Sequence, residues 1–298
     1  MKKGVLIAAL WILLFGVACQ WEPEAGNSEE ALAQAAEYWD KDDFERAFAY
    51  YDLAVQLDPE NAEAYYARGN AYRRAYNKTD QHYGTLSENY DKAISDFGRA
   101  IELDPDLAEA HMARGLVYQL RLDPGSALRD YDAGILLDPE NPEYYRYRGH
   151  AYLAQATRQD DEINIDRAIK DFDRAIQLDP GYSDAYLSRA LAYRQLDDLE
   201  RELQEYVRAL EADPQNTDVL MLRAGTYRLE GDLQMAIADY DRLIELDPEE
   251  YLYYQDRGDI YAELGEPAAA IADYREALER ADNAIIRRAI ARQIDSLK

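Results

Sequence analysis

The amino-acid sequence predicts an all-α protein in which pairs of antiparallel helices repeat along the chain. Three observations lead to this fold class: a dipeptide that recurs at a regular interval, a helically spaced pattern of large and small residues, and an excess of tyrosine over phenylalanine. They recur through most of the 298 residues, so they indicate a repeat array instead of one or two globular domains.

The first observation is an Asp-Pro pair that follows an apolar residue six times. The prolines of these pairs are Pro59, Pro105, Pro139, Pro180, Pro214 and Pro248. Their spacings are 46, 34, 41, 34 and 34 residues, so the base period is 34, with inserts of 12 and 7 residues. Because proline ends helices, each pair is expected to mark the end of one repeat.

The second observation is the order of large and small residues within each period. In the first helix, helix A, a large residue is followed four positions later by Gly or Ala, and three positions later by Tyr. In the second, helix B, an Ala is followed by Tyr or Phe and usually by another Ala. The fourth repeat shows both patterns, with Tyr145, Gly149 and Tyr152, then Ala168, Phe172 and Ala175. Side chains at these spacings share one helix face, so we expect them to form the core.

The third observation, 26 tyrosines against 5 phenylalanines, follows in large part from the second, because a Tyr closes the helix A pattern in all seven repeats. The segment 144–152, "YYRYRGHAY", is therefore interpreted as helix A of the fourth repeat. Its interleaved aromatic and basic residues are not interpreted as a nucleic-acid surface.

These residues resemble the tetratricopeptide repeat (TPR) family from residue 28 to about 282. The resemblance implies an α-solenoid of about seven helix-turn-helix repeats that forms a right-handed superhelix. Residues 29–282 are the predicted repeats, and residues 283–298 resemble the capping helix that ends such arrays. One local departure is Glu202, which stands at a usual Ala position of the fifth repeat.

A second pattern lies inside the repeats. From the second repeat to the seventh, an Arg directly precedes the Gly or Ala of helix A, and an acid directly precedes the aromatic residue of helix B. These residues are Arg68 and Asp96, Arg114 and Asp130, Arg148 and Asp171, Arg189 and Glu205, Arg223 and Asp239, and Arg257 and Asp273. The first repeat lacks both, so we predict structural ion pairs within each repeat or to its neighbour. The alternative is six solvent-facing arginines on the binding surface.

In arrays of this kind the concave surface lined by helix A carries function. Helical spacing assigns twelve residues to a partner-binding groove: Tyr66, Asn70, Arg73, Met112, Leu116, Arg146, His150, Leu187, Leu191, Arg194, Met221 and Arg228. A groove that mixes apolar residues with arginines suits a peptide or helix of another protein. Asn70 and Arg73 resemble part of the carboxylate clamp of chaperone-binding TPR domains, but the supporting lysines and second Asn are missing. The alternative is an unoccupied, solvated face.

The remaining composition argues against several classes of function. The formal net charge of -27 opposes binding to nucleic acid. The three histidines, His82, His111 and His150, stand far apart, and Cys19 is the single cysteine, so the sequence predicts no metal site. No catalytic motif is present, and we expect no enzyme activity, no catalytic residue and no cofactor.

The N-terminus resembles a bacterial lipoprotein signal peptide. Lys2 and Lys3 precede the apolar residues 5–18, a run of 14 residues that is short for a membrane span, and Cys19 follows small residues. We therefore predict a signal peptide over residues 1–18, lipidation of Cys19 and a linker over residues 19–28. An ordinary signal peptide or an uncleaved anchor is the alternative.

These features predict a protein-interaction scaffold or assembly factor. Its expected place is the bacterial cell envelope, lipid-anchored to a membrane and facing the periplasm or the cell exterior. Its partners are then other proteins, with self-association left open. The alternatives are an enzyme or ligand-binding protein with an unrecognised site in the groove, and a periplasmic or cytosolic adaptor that resembles a co-chaperone. The inserts at residues 77–88 and 157–165 are contact loops or tolerated extensions.

Overall fold

The structure is a computed structural model that describes residues 22–75, 85–156 and 162–298. These residues form fifteen α-helices and no strand. The helices are α1 (Ser28–Asp40), α2 (Phe44–Leu57), α3 (Ala62–Ala75), α4 (Leu86–Leu103), α5 (Ala108–Leu120), α6 (Pro124–Leu137), α7 (Pro142–Ala156), α8 (Glu162–Leu178), α9 (Ser183–Gln195), α10 (Leu199–Ala212), α11 (Thr217–Glu230), α12 (Leu233–Leu246), α13 (Tyr251–Glu263), α14 (Pro267–Arg280) and α15 (Ala284–Ser296). The predicted signal peptide with Cys19, and most of both inserts, lie outside the described residues.

The chain divides into two compact units, Met1–Val117 and Tyr118–Lys298, and the division falls within α5. In the first unit, α1 packs on α2 and α3 packs on α4. In the second, each helix from α6 to α14 packs on the helix that follows it. The predicted all-α solenoid of helix pairs is therefore confirmed. The right-handed sense of the superhelix stays a prediction.

The recurrent Asp-Pro pair ends helix B through an Asx turn. At the end of α2, the Asp58 N–H donates to the carbonyl of Ala54 at 3.1 Å, and the Asp58 carboxylate accepts from the N–H of Glu60 at 3.0 Å. Four other residues make the same contact to the N–H two positions on: Asp104, Asp179, Asp213 and Asp247. Proline fits between these groups because it has no N–H to satisfy.

A left-handed residue joins helix A to helix B in five repeats. These residues are Asp42, Leu122, Asp197, Gly231 and Gly265, with φ values of 56°, 59°, 54°, 84° and 74°. The next N–H then returns to the carbonyl of the tyrosine that closes helix A, as from Asp123 to Tyr118 at 2.9 Å. This bond closes the end of helix A in the manner of a Schellman motif.

Helix B of the third repeat begins earlier than its composition predicts. Asp123, Pro124 and Gly125 are expected from composition to form the turn, yet Pro124 and Gly125 lie in the first turn of α6. Asp123 caps this helix by accepting from the N–H of Ser126 at 3.1 Å. Proline suits the first helical position because no helix hydrogen bond is required of its nitrogen there.

Tyrosine hydroxyls tie helix A to the end of the preceding repeat. Tyr145, Tyr186 and Tyr254 donate to the carbonyls of Pro139, Pro180 and Pro248 at 3.1, 3.3 and 3.2 Å. Phenylalanine would fill the same volume but could not donate. This contact accounts for part of the tyrosine excess.

Glycine in helix A is required by the close approach of helix B. A Cβ added to Gly149 would lie 2.5 Å from Cε1 of Phe172, which is fully buried. The same addition at Gly69 would lie 2.8 Å from Cε1 of Phe97. The two helices can therefore pack at this distance only where the side chain is absent.

Each predicted arginine–acid pair that falls within one unit is in contact. Arg148 donates from Nε and Nη2 to the two carboxylate oxygens of Asp171 at 2.9 and 2.7 Å, and Asp171 is only 5% exposed. The same two-oxygen geometry joins Arg68 to Asp96, Arg223 to Asp239 and Arg257 to Asp273. Arg189 contacts Glu205 through one oxygen. The pair of Arg114 and Asp130 has its members in different units and stays a prediction.

A second acid, sixteen residues before the arginine, extends most of these pairs to the preceding repeat. Nη1 of Arg148 donates to Asp132 on α6 at 2.7 Å. The same contact links Arg68 to Asp52, Arg189 to Asp173 and Arg257 to Asp241. We call an arginine with its two acids an arginine bridge. Burial acts to lower the pKa of Arg148, but the two carboxylates outweigh it and raise that pKa, so the guanidinium stays charged.

Replacement of the arginine tests how much this contact stabilises the fold. Arg148→Met is expected to lower the free energy of unfolding by about 3–5 kcal/mol, because Asp171 would stay buried without a counter-charge. Urea denaturation followed by fluorescence measures the change. Asp132→Asn is the matched control, since Asp132 is 58% exposed and its loss leaves Asp171 paired. That variant should change the free energy by less than about 1 kcal/mol. Equal effects of the two substitutions would contradict the assignment.

Candidate functional site

The residues assigned to the partner-binding groove occupy three positions of helix A. Relative to the Gly or Ala that packs on helix B, they stand three before, one after and four after. Helical spacing places these positions on one face. The first unit carries Tyr66, Asn70, Arg73, Met112 and Leu116, and the second unit carries the others.

In the first unit, three of these side chains contact residues of their own repeat. The ring of Tyr66 packs on Phe97, with ring centroids 6.0 Å apart. The Asn70 side-chain oxygen accepts from Nη2 of Arg73 at 3.1 Å. Leu116 is half-buried, whereas Met112 is only 4% exposed. The assignment of Met112 to an accessible groove is therefore wrong, because its side chain packs in the core.

In the second unit, Arg146 and His150 contact the following repeat. Arg146 donates from Nε to the hydroxyl of Tyr182 at 2.5 Å, and its guanidinium lies over the ring of Tyr147 at 4.8 Å. His150 Nε2 lies 2.9 Å from Oγ of Ser188. Both residues were expected to be available for a partner. Instead His150 joins α7 to α9, and Arg146 joins α7 to Tyr182, which directly precedes α9.

A groove of about 880 Å³ lies on the fifth to seventh repeats of this unit. The lining residues are Arg194, Asp197, Leu199, Glu202, Met221, Leu222, Gly225, Thr226, Arg228, Leu229, Glu230 and Glu263. Three residues from the sequence-based assignment are among them: Arg194, Met221 and Arg228. Leu187 and Leu191 are half-buried and do not line this groove, and Leu187 packs beside the core around Tyr206.

Glu202 forms a buried polar network at the base of the groove. Its side chain is 5% exposed, and its Oε1 accepts from Nε of Arg194 at 2.9 Å. The hydroxyls of Tyr206 and Thr226 lie 3.0 and 2.9 Å from the same oxygen. The acid at a usual Ala position thus has three partners, which satisfy a carboxylate that would otherwise be costly to bury.

Arg228 and Glu263 form an ion pair at the other side of the groove. Nε of Arg228 donates to Oε1 of Glu263 at 2.9 Å, and this bond joins α11 to α13. Glu263 is 44% exposed, so the pair is accessible to solvent. Both arginines of the groove are therefore already paired with carboxylates.

Gly225 differs from the helix A glycines Gly69, Gly149 and Gly258, where an added Cβ would lie within 3 Å of helix B. A Cβ added to it would meet no atom within 4 Å, so helix packing does not require glycine there. Ala224, which is fully buried, takes the packing position of this repeat. Gly225 stands one residue later, on the face that lines the groove.

Neither a cluster of metal-binding side chains nor a helix that could cross a membrane occurs in residues 22–75, 85–156 and 162–298. Within those ranges, no group of three or more His, Cys, Asp or Glu side chains is placed to hold a metal ion. Over the same ranges, every helix is too short or too polar to cross a membrane.

Solved structures with the same arrangement of helices define the class as a helical-repeat protein. A tetratricopeptide repeat protein from Parabacteroides merdae ATCC 43184 matches with a TM-score of 0.60 at 19% identity, covering 91% of this chain and 98% of its own. PilW, a widely conserved type IV pilus biogenesis factor, matches with 0.60 at 22% identity, over 74% and 94%. Pseudomonas aeruginosa pilF matches with 0.57 at 17% identity, over 78% and 97%. At these identities the likeness shows the fold.

Family models identify the repeat itself. Three tetratricopeptide repeat models match residues 36–74 and 86–120, residues 153–217, and residues 225–295. The chain therefore belongs to the tetratricopeptide repeat family, as its sequence pattern predicts. No curated protein matches the chain.

The environment of His150 makes stability depend on pH. Burial, and then the charge of Arg146, lowers the pKa of His150 from 6.5 to about 4, while Asp184 opposes the shift. The unfolded chain binds a proton near the ordinary value and the folded chain does not. The free energy of unfolding should thus fall by up to about 3 kcal/mol between pH 6.5 and 4.

A matched variant separates this effect from the carboxylates that titrate in the same range. His150→Gln retains a hydrogen-bonding group near Ser188 but has no titrating group. Urea denaturation at several pH values should give the wild type a steeper loss of stability with falling pH. Parallel curves for the two proteins would show that His150 does not contribute.

Proposed function

We propose that this protein is an interaction scaffold or assembly factor that binds a peptide or helical segment of another protein in the groove of its second unit. The groove of about 880 Å³ is the observation that carries the proposal. Two of its apolar residues are open to solvent, Met221 at 39% and Leu229 at 87% exposed. A partner segment would cover this apolar surface.

The polar network below the groove supports the same function. Glu202, Arg194 and Thr226 link α9, α10 and α11 through hydrogen bonds at 2.9 Å. Binding surfaces that are held in place before a partner arrives lose less conformational entropy on association. An assembly role is also in keeping with PilW, a type IV pilus biogenesis factor of similar fold.

We further propose that a lipid on Cys19 anchors the repeats at the extracytoplasmic face of a bacterial membrane. Support comes from the sequence alone: two lysines, an apolar run over residues 5–18 and the single cysteine of the chain directly after it. More than one acyl chain on this residue would give stable membrane attachment.

A photoreactive amino acid at Met221 tests the binding site. We expect light-dependent adducts with a recurring partner protein, because the side chain at this position lines the groove. Leu136 provides the control, since it is 83% exposed on a B helix of the same unit. The same adducts from both positions, or none from Met221, would refute the groove as the binding site. Mass spectrometry of the adducts identifies the partner.

Replacement of the cysteine tests the anchor. In cells grown with a palmitate analogue, the wild-type protein should be labelled and Cys19→Ser should not, because the serine hydroxyl cannot accept the lipid as a thioether. Fractionation should show the variant released from the membrane. Equal labelling of the two proteins would contradict the lipoprotein assignment and would not affect the groove proposal.

A further inference from the structure

We infer that the groove binds a basic segment of its partner and seats one apolar side chain of that segment in a notch at Gly225. This inference rests on the proposed function and adds to it the chemistry of the partner. It depends on the shape of the groove around Gly225 and on the charges that surround it.

The shape comes from a missing side chain. At the position of Gly225, five other repeats carry Asn70, Leu116, His150, Leu191 and Asp259. One position earlier in helix A, glycine is required by packing in the fourth repeat. A Cβ added to Gly149 would lie 2.5 Å from Cε1 of Phe172 on helix B. At Gly225 the space within 4 Å is open. The glycine therefore leaves a notch in the groove instead of allowing two helices to pack.

Apolar side chains flank this notch along α11. Met221 stands one turn before Gly225, and Leu229 stands one turn after it. Both are exposed, at 39% and 87%, and both line the groove. Residues four apart lie on the same helix face, so the two side chains border the open space. An aliphatic or aromatic side chain between them would bury apolar surface on both sides.

The charges around the notch favour a cation. The lining contains four carboxylates and two guanidinium groups. Both guanidinium groups are bound to carboxylates, Arg194 to Glu202 and Arg228 to Glu263. Asp197 and Glu230 are exposed and have no basic partner among the described residues. Lysine or arginine beside the apolar side chain can pair with them, whereas an acidic segment would add to a net charge of -27.

A library of short random peptides displayed on phage is the probe, and the intact protein is the target. Peptides selected on the wild type should share an apolar residue next to Lys or Arg. The selected peptides are then synthesised with a fluorescent label, and their Kd values are measured by fluorescence anisotropy. Gly225→Leu fills the notch and should weaken binding by at least about ten-fold.

The same substitution should not impair folding. Leucine is the better helix former, and the space around Gly225 is open, so the thermal midpoint should equal or exceed that of the wild type. Glu230→Lys tests the charge separately and should weaken binding several-fold. Leu136→Ala, on an exposed B-helix position, is the control and should leave the Kd unchanged.

The outcomes distinguish this inference from the proposed function. Selected peptides that cross-link to Met221 but are acidic, or bind Gly225→Leu as tightly as the wild type, would overturn the inference and leave the function standing. Self-association that Gly225→Leu abolishes would assign the notch to a second copy and would also overturn it. Failure to select any peptide would count against both.

Discussion

In the second repeat and in the fourth to seventh, the packing of helix A on helix B depends on a buried acid that an arginine of the same repeat binds. Asp171 is 5% exposed, and burying its charge would cost free energy without the two hydrogen bonds from Arg148. The pair therefore fixes the distance and rotation between α7 and α8. The arginine stands directly before Gly149, and that rotation brings Phe172 onto the glycine. Helical spacing places the groove positions of α7 on the side of the helix opposite Arg148. The arginine bridge therefore also determines which side chains of helix A are available to a partner.

Much of this could be predicted, because it repeats. The Asp-Pro pairs and the Gly–aromatic pattern recur with the period of the fold, and the arginines and acids appear and disappear together. The second acid of the bridge lies in the preceding repeat, and it is replaced by Gly98 and Val207 in two of them, so its pattern is incomplete. Met112 was misplaced for another reason. Its flexible side chain can turn into the core from a position that spacing alone assigns to the surface.

The features that set this groove apart occur once each, and for that reason the repeat pattern does not reveal them. Glu202 is visible in the sequence as a departure, but its partners come from three helices, at Arg194, Tyr206 and Thr226. Gly225 follows an alanine that takes the helix-packing position. The repeat pattern therefore gives no sign that this glycine shapes the groove. Arg146 and His150 fit the spacing of the groove positions, but they contact Tyr182 and Ser188. These partners lie 36 and 38 residues further along the chain, so the spacing does not reveal them.

The substitution of Val207 for the second acid gives the junction between the fifth and sixth repeats a different physical character. At four other junctions an arginine reaches an exposed acid of the preceding repeat, such as Asp132, which is 58% exposed, and dissolved ions screen such contacts. At this junction a buried hydrogen bond of Glu202 with Thr226 helps to link the two repeats. Rising ionic strength would thus weaken those four contacts more than the Glu202–Thr226 hydrogen bond. The part of the groove between the fifth and sixth repeats should therefore respond less to salt than its end at the seventh repeat, where Arg228 pairs with the exposed Glu263.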